Sequence, residues 1–167
     1  LTISGTVVIG EGERDEAPML YIGENVGAGG PKVDIALDPL EGTTITAKGG
    51  ENAMAVIALA QEGGFLNAPD VYMKKISTNT NNEKVVSLDQ DLKSNIKALA
   101  KFKKINIEDL VICILDRERH NDEIEIIRST GARIKMIDDG DVSAVISSVL
   151  ISSSIDMYYG IGGAPEG

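Results

Sequence analysis

Residues 110–159 read LVICILDRERHNDEIEIIRSTGARIKMIDDGDVSAVISSVLISSSIDMYY and alternate short apolar runs with stretches of helical period. The run 109–115 is uninterrupted Val, Ile, Leu and Cys after its first residue, the pattern of a strand buried on both faces. Residues 119–130 carry Ile124, Ile126 and Ile127 at helical spacing, with Gly131 placed to end the helix. Residues 132–137 return to strand, 141–150 read as a helix capped by Asp141, and 154–159 as a last strand. Strand, helix, strand, helix, strand implies parallel pairing through helical crossovers. Just upstream, Leu92, Ile96, Leu99 and Ala100, with Phe102 nearby, mark one face of a further helix.

The first half has a different texture. Residues 5–9, 33–37 and 71–77 read as strands; 53–60 is a strand whose alanines leave a helix open. Residues 79–84 form a polar turn. Pro39 lacks an N–H and presses Asp38 into an extended conformation, so the second strand is expected to end there. The chain divides near residue 86, into a mixed-sheet half (1–86) and an α/β half with parallel strands (87–167). No internal repeat or low-complexity segment is present.

The 167 residues suit one ordinary domain or most of one. With two Phe, four Tyr and no Trp, the core has to come from Val, Ile, Leu and Ala. Sixteen basic residues against twenty-six acidic ones give a net charge of −10, which excludes nucleic acid as a partner for want of a basic stripe. A phosphorylated small molecule meets the same repulsion unless divalent metals invert the sign locally. The single cysteine, Cys113, permits no internal disulfide and reads as an inert core residue. No apolar run approaches a membrane span and no signal peptide opens the chain, so a cytoplasmic setting is expected. Both ends read as cut, the first residue being Leu and the last lying in a Gly-rich turn.

Three strand exits each deliver glycine with a carboxylate: Gly10-Glu11-Gly12-Glu13, Asp38-Pro39-Leu40-Glu41-Gly42-Thr43, and the Gly-rich run 160–167 with Glu166. Asp38 and Glu41, three residues apart on a turn, can converge on a hard cation that prefers oxygen. The same residues would equally make an Asp-Pro turn before a Gly-centred loop. Ligands of open α/β sheets gather at strand carboxyl ends, so the three exits together suggest metal-assisted phosphate chemistry. Lys48, Arg117, Arg119, Arg133 and Lys135 are cations that could hold a second phosphate, Arg117 and Arg119 following the strand that ends near Leu115. The run Asp116-Arg117-Glu118-Arg119 reads equally as a helix-start salt-bridge cluster. His120, the lone histidine, reads as an exposed helix residue.

The runs Ile9-Gly10-Glu11-Gly12-Glu13-Arg14-Asp15-Glu16-Ala17-Pro18-Met19-Leu20, Asp38-Pro39-Leu40-Glu41-Gly42-Thr43, Phe65-Leu66-Asn67-Ala68-Pro69-Asp70, Asp139-Gly140-Asp141 and Tyr159-Gly160-Ile161-Gly162-Gly163-Ala164-Pro165-Glu166-Gly167 together resemble the class II fructose-1,6-bisphosphatases of bacteria. The resemblance spans essentially the whole chain. It implies an α/β fold of layered α-β-α-β-α sugar-phosphatase architecture, here lacking N- and C-terminal parts. It implies a phosphoric monoester hydrolase that uses Mg²⁺ or Mn²⁺ to convert fructose 1,6-bisphosphate to fructose 6-phosphate and phosphate in gluconeogenesis. A dual fructose/sedoheptulose bisphosphatase and a non-catalytic metal- or sugar-phosphate-binding fragment are the alternatives; the 167 residues are also compatible with an inactive fragment.

By the same resemblance Glu11, Asp38, Glu41 and Glu166 are metal ligands, with Glu13 the alternate to Glu11. Thr43 would aim the attacking water, with Glu13 in the catalytic set beside it. Sugar-phosphate contacts would come from Glu41, Gly42, Thr43, Tyr72, Arg117, Glu118, Arg119, Asp139, Gly140, Asp141 and Gly163. Residues 1–86 would then be the metal-binding half and 87–167 the substrate-binding half. The implied partners are a sugar bisphosphate and further copies of the chain, without nucleic acid or membrane.

Overall fold

The structure, a computed structural model, describes residues 1–11, 19–66, 69, 71–80, 82 and 84–166, with backbone only at Glu166. The chain forms two compact units, Leu1–Glu41 with Ala53–Pro69, and Gly42–Asn52 with Asp70–Gly167.

In the first unit, β1 (Ser4–Ile9), β2 (Asn25–Val26), β3 (Lys32–Glu41) and β4 (Met54–Gln61) make a sheet ordered β2-β1-β3-β4. β1 and β3 run parallel, and β4 lies antiparallel to β3. Val7 and Ile35 are register partners, and both are buried. The segment with alanines is a strand, because it pairs along its length with β3. Proline does not end β3. The register slips by one residue between Asp38 and Glu41, and this bulge takes up Pro39, whose missing N–H then costs no rung of the ladder.

The second unit contains α1 (Thr43–Lys48), β5 (Tyr72–Thr78), α2 (Leu92–Lys103), β6 (Val111–Leu115), α3 (Asn121–Thr130), β7 (Arg133–Ile137), α4 (Asp141–Val149) and β8 (Met157–Gly163). Its sheet is ordered β5-β8-β6-β7. The β6, β7 and β8 strands are parallel, as the alternation of strand and helix implies, and β5 adds an antiparallel edge to β8. Strand β5 therefore belongs with residues 87–167, and the unit boundaries do not fall near residue 86. The pairing of Ile76 with Tyr159 joins residues far apart in the chain, which a change of local period does not reveal.

Strand β6 is packed on both faces. Ile112 and Ile114 join Ile96 and Leu99 of α2, Ile124 and Ile127 of α3, and Met157 of β8 in one core. Cys113 points the other way, into a smaller cluster with Ala144 of α4, Ile155 and Tyr158. The result is helix, sheet and helix in three layers around a strand with no polar side chain.

Local chemistry sets the helix ends. The Asp91 carboxylate accepts the Ser94 hydroxyl at 2.6 Å and the Ser94 N–H at 2.9 Å; it caps α2, and the hydroxyl first and the N–H second hold its pKa below the usual carboxylate value. Gly131 ends α3 at φ 87°. Asp141 is the first helical residue of α4 and not its cap; left-handed Gly140 takes that position, and the Asp141 side chain turns inward. Buried Asn95 ties the loop before α2 by bonding the Ser87 N–H and C=O. Among the described residues no helix is long and apolar enough to cross a membrane.

Replacing fully buried Ile127 by Ala is expected to cost about 2–5 kcal/mol of unfolding free energy, against less than about 1 kcal/mol for Ile126→Ala on the exposed side of α3. Urea unfolding of the two variants measures both. Burial also pushes the Cys113 thiol up from 9.0 to about 11, Lys135 acting weakly in the opposite direction. The raised folded value means that this contribution to stability is complete below pH 9 and is lost as pH rises through 11. Urea midpoints should fall across that window more steeply for the wild type than for Cys113→Ala.

Candidate functional site

In the first unit, Glu41 closes β3 and is 7% exposed. Asp38 turns back across Pro39, its Oδ1 accepting the Leu40 N–H at 2.9 Å. Glu11 follows β1, where its N–H donates to the Leu20 carbonyl at 3.0 Å and a single bridge pairs it with Tyr21. A Cβ at Gly10 would run into that same Leu20 carbonyl, which gives the first of the flanking glycines its role. Glu13 and the Glu166 side chain lie outside the described residues. Among the described residues no three His, Cys, Asp or Glu side chains come together around one point. The described carboxylates thus do not by themselves fit a bound cation.

The second unit brings more of the expected residues together. Gly42, at φ 91°, caps α1, and Thr43 is its exposed first residue. The next backbone N–H, that of Thr44, donates to Asp139 Oδ2 at 3.1 Å, which fastens the 139–141 turn to the start of α1. Gly140 packs beneath the Ile45 side chain. Asp141 goes inward, where it accepts the Tyr158 hydroxyl at 3.1 Å and faces Lys75 Nζ at 3.5 Å. Both members of that ion pair are about nine-tenths buried.

At the carboxyl end of the sheet, the Arg119 guanidinium lies 5.0 Å over the Tyr72 ring, and its Nε donates to the Ile161 carbonyl at 2.7 Å. Tyr72 is the register partner of Gly163, so Arg119, Tyr72 and Gly163 share one corner. Arg117 instead folds onto the Asp116 carbonyl, and Glu118 begins a short 3-10 turn, Glu118–His120. The helix-start reading of 116–119 as a salt-bridge cluster is not what forms: Arg119 is held by backbone and an aromatic face.

Sequence reasoning missed Lys75 and Tyr158 and misread His120. Strand alternation holds a signal for the first, since Lys74 is exposed and Lys75, one residue on, falls on the face toward Ser77, whose hydroxyl meets Ser148 of α4 at 2.8 Å. His120 is fully buried and not exposed as its position near a helix start suggests. A cleft of about 330 Å³ between α1, the end of β7 and α4 shares Asp139 and Gly140 with the expected site, but Tyr72, Arg119 and Gly163 do not line it. Lys48 and Lys135, two of the cations the sequence offers for a phosphate, line this cleft.

A helix-flanked mixed sheet with its polar cluster at the strand ends defines the class as α/β. The family described as bacterial fructose-1,6-bisphosphatase, glpX-encoded, matches residues 1–167. A D-fructose 1,6-bisphosphatase class 2/sedoheptulose 1,7-bisphosphatase of Synechococcus sp. (strain RCC307) is 48% identical over 168 residues, covering 100% of this chain and 50% of that protein. Its namesake in Gloeobacter violaceus (strain ATCC 29082 / PCC 7421) is 45% identical over 176 residues, covering 98% and 51%. The fructose-1,6-bisphosphatase 1 class 2 of Escherichia coli (strain K12) is 48% identical over 168 residues, covering 100% and 50%. The chain belongs to the class II fructose-1,6-bisphosphatase family. It spans about half the length of the curated relatives it matches.

Removing Lys75 leaves the Asp141 carboxylate without its buried cation. Lys75→Met is expected to cost on the order of 3 kcal/mol in urea unfolding, with part of that recovered when Asp141→Asn is added.

Proposed function

We propose that this chain is the sugar-phosphate-binding and metal-binding body of a phosphomonoesterase acting on ketose bisphosphates. The observation that carries the reading is Arg119 laid on Tyr72 beside Gly163 at the strand ends. A guanidinium held by an aromatic face and a backbone carbonyl is pre-ordered to grip a phosphate. Arg117, Glu118, Asp139, Gly140 and Asp141 complete the sugar-phosphate set in this proposal, together with Glu41, Gly42 and Thr43, and Thr43 orients the water.

Glu11, Asp38, Glu41 and Glu166 are the proposed ligands of Mg²⁺ or Mn²⁺, with Glu13 the alternate to Glu11 and part of the catalytic set. Such ions would neutralise the scissile phosphate. This assignment rests on family membership, because the described carboxylates do not close a site. Dual action on fructose 1,6-bisphosphate and sedoheptulose 1,7-bisphosphate is favoured over the fructose substrate alone, since two of the three relatives above bear that double name. Cytoplasmic placement and homo-oligomerisation belong to the same proposal.

Phosphate release is to be measured from each bisphosphate with Mn²⁺ or Mg²⁺ added, and again after chelation. The reading expects metal-dependent release from both, lost in Asp38→Asn. Release from the six-carbon substrate alone would narrow it to a fructose bisphosphatase. Calorimetric binding of either sugar without release would favour a non-catalytic binding role.

A further inference from the structure

Strand β8 runs on after its neighbour stops. Strands β6 and β8 pair only at Ile112–Met157 and Cys113–Tyr158, and β6 ends at Leu115. From there the chain enters the Glu118–His120 turn, while β8 continues to Gly163 with β5 on one edge only. The opposite edge of Ile161 would lack ladder partners. Two consecutive side chains supply them: the Ile161 N–H donates to His120 Nε2 at 2.9 Å, and the Ile161 carbonyl accepts Arg119 Nε–H at 2.7 Å.

The backbone also dictates the state of the ring. Ile161 N–H can only donate, so Nε2 has to present its lone pair. The Leu115 carbonyl, 2.9 Å from Nδ1, can only accept, so Nδ1 carries the proton. The ring is fully buried and touches no bulk solvent. It spans from the last residue of β6 to the overhanging part of β8, in the place of a missing strand.

We propose that His120 is a positioning residue, a one-residue substitute for β6 that holds Ile161 and thereby fixes Arg119 over Tyr72 beside Gly163. Arg119 and His120 grip the two sides of one residue, so freeing the N–H releases the carbonyl that orients the guanidinium. The consequence for ligand binding rests on the reading of Arg119, Tyr72 and Gly163 as sugar-phosphate contacts; the clamp itself does not.

Two substitutions separate the two ring nitrogens. Glutamine places an acceptor oxygen near the position of Nε2, whereas asparagine keeps a donor near Nδ1 and cannot reach Ile161. Amide exchange of Ile161, the Arg119 Nε–H resonance shifted by the Tyr72 ring, and calorimetric affinity for fructose 1,6-bisphosphate are the readouts. In His120→Asn, Ile161 exchange should quicken about tenfold, the size of one lost buried hydrogen bond, with loss of the ring shift on Arg119 and about tenfold weaker binding. His120→Gln should stay within about threefold of wild type in each. Equal behaviour of the two variants, or faster exchange at Ile161 with Arg119 undisturbed, would overturn the proposal. A wild type that does not bind the sugar, but shows the Gln–Asn split in exchange and in the Arg119 signal, removes the substrate reading and supports the clamp. Nitrogen spectra of the wild-type imidazole test the same idea without a variant: protonated Nδ1 is required, and a proton on Nε2 sinks it.

Discussion

Strand β6 has to lose water from both of its faces, and much of the second unit is arranged to let it do so. Ile112 and Ile114 require the apolar stripes of α2 and α3, while Cys113 requires the small residues of α4 on the reverse side. A strand buried in this way can have no charged side chain along its length, so the polar residues accumulate where it ends. Asp116 to Arg119 follow immediately, and the turn they make brings Arg119 to Tyr72. Packing on both faces and a polar corner at the rim are thus two consequences of one constraint.

Burial on this scale leaves backbone groups that need partners, and the strand ends show how they are found. The start of β6 is tied by Asp156, which accepts the Val111 N–H at 2.8 Å and Lys103 Nζ at 2.6 Å. The overhang of β8 is tied by His120 and Arg119. Among the described residues no buried side-chain nitrogen or oxygen is left without a hydrogen-bond partner. Arg119 belongs to both sets, since it ties the β8 overhang and presents its guanidinium at the rim over Tyr72.

Charge follows the same division. The chain is acidic overall, at −10, and a doubly phosphorylated sugar would be repelled by its average surface. The cations at the strand ends are held in place: exposed Arg119 by an aromatic ring and a carbonyl, and nearby Lys75 by Asp141 inside the unit. Holding the guanidinium in advance lowers the ordering cost of gripping a phosphate.

What the residues alone determined is the part governed by short-range periodicity. The alternation over 110–159 implied parallel strands with helical crossovers, and Gly131 ends its helix because glycine adopts the left-handed turn without strain. The runs quoted above sufficed for the family as well, since each is contiguous in the chain. Tertiary structure decided everything that depends on partners distant in sequence. Proline at position 39 was absorbed by a bulge against β4, β5 joined the sheet of the other half, Asp141 turned inward to Lys75 rather than capping its helix, and His120 went inside. The physical reason is common to these cases: a hydrogen bond or ion pair between remote residues outweighs the weak local preference of each one, and no window of neighbouring residues contains both partners.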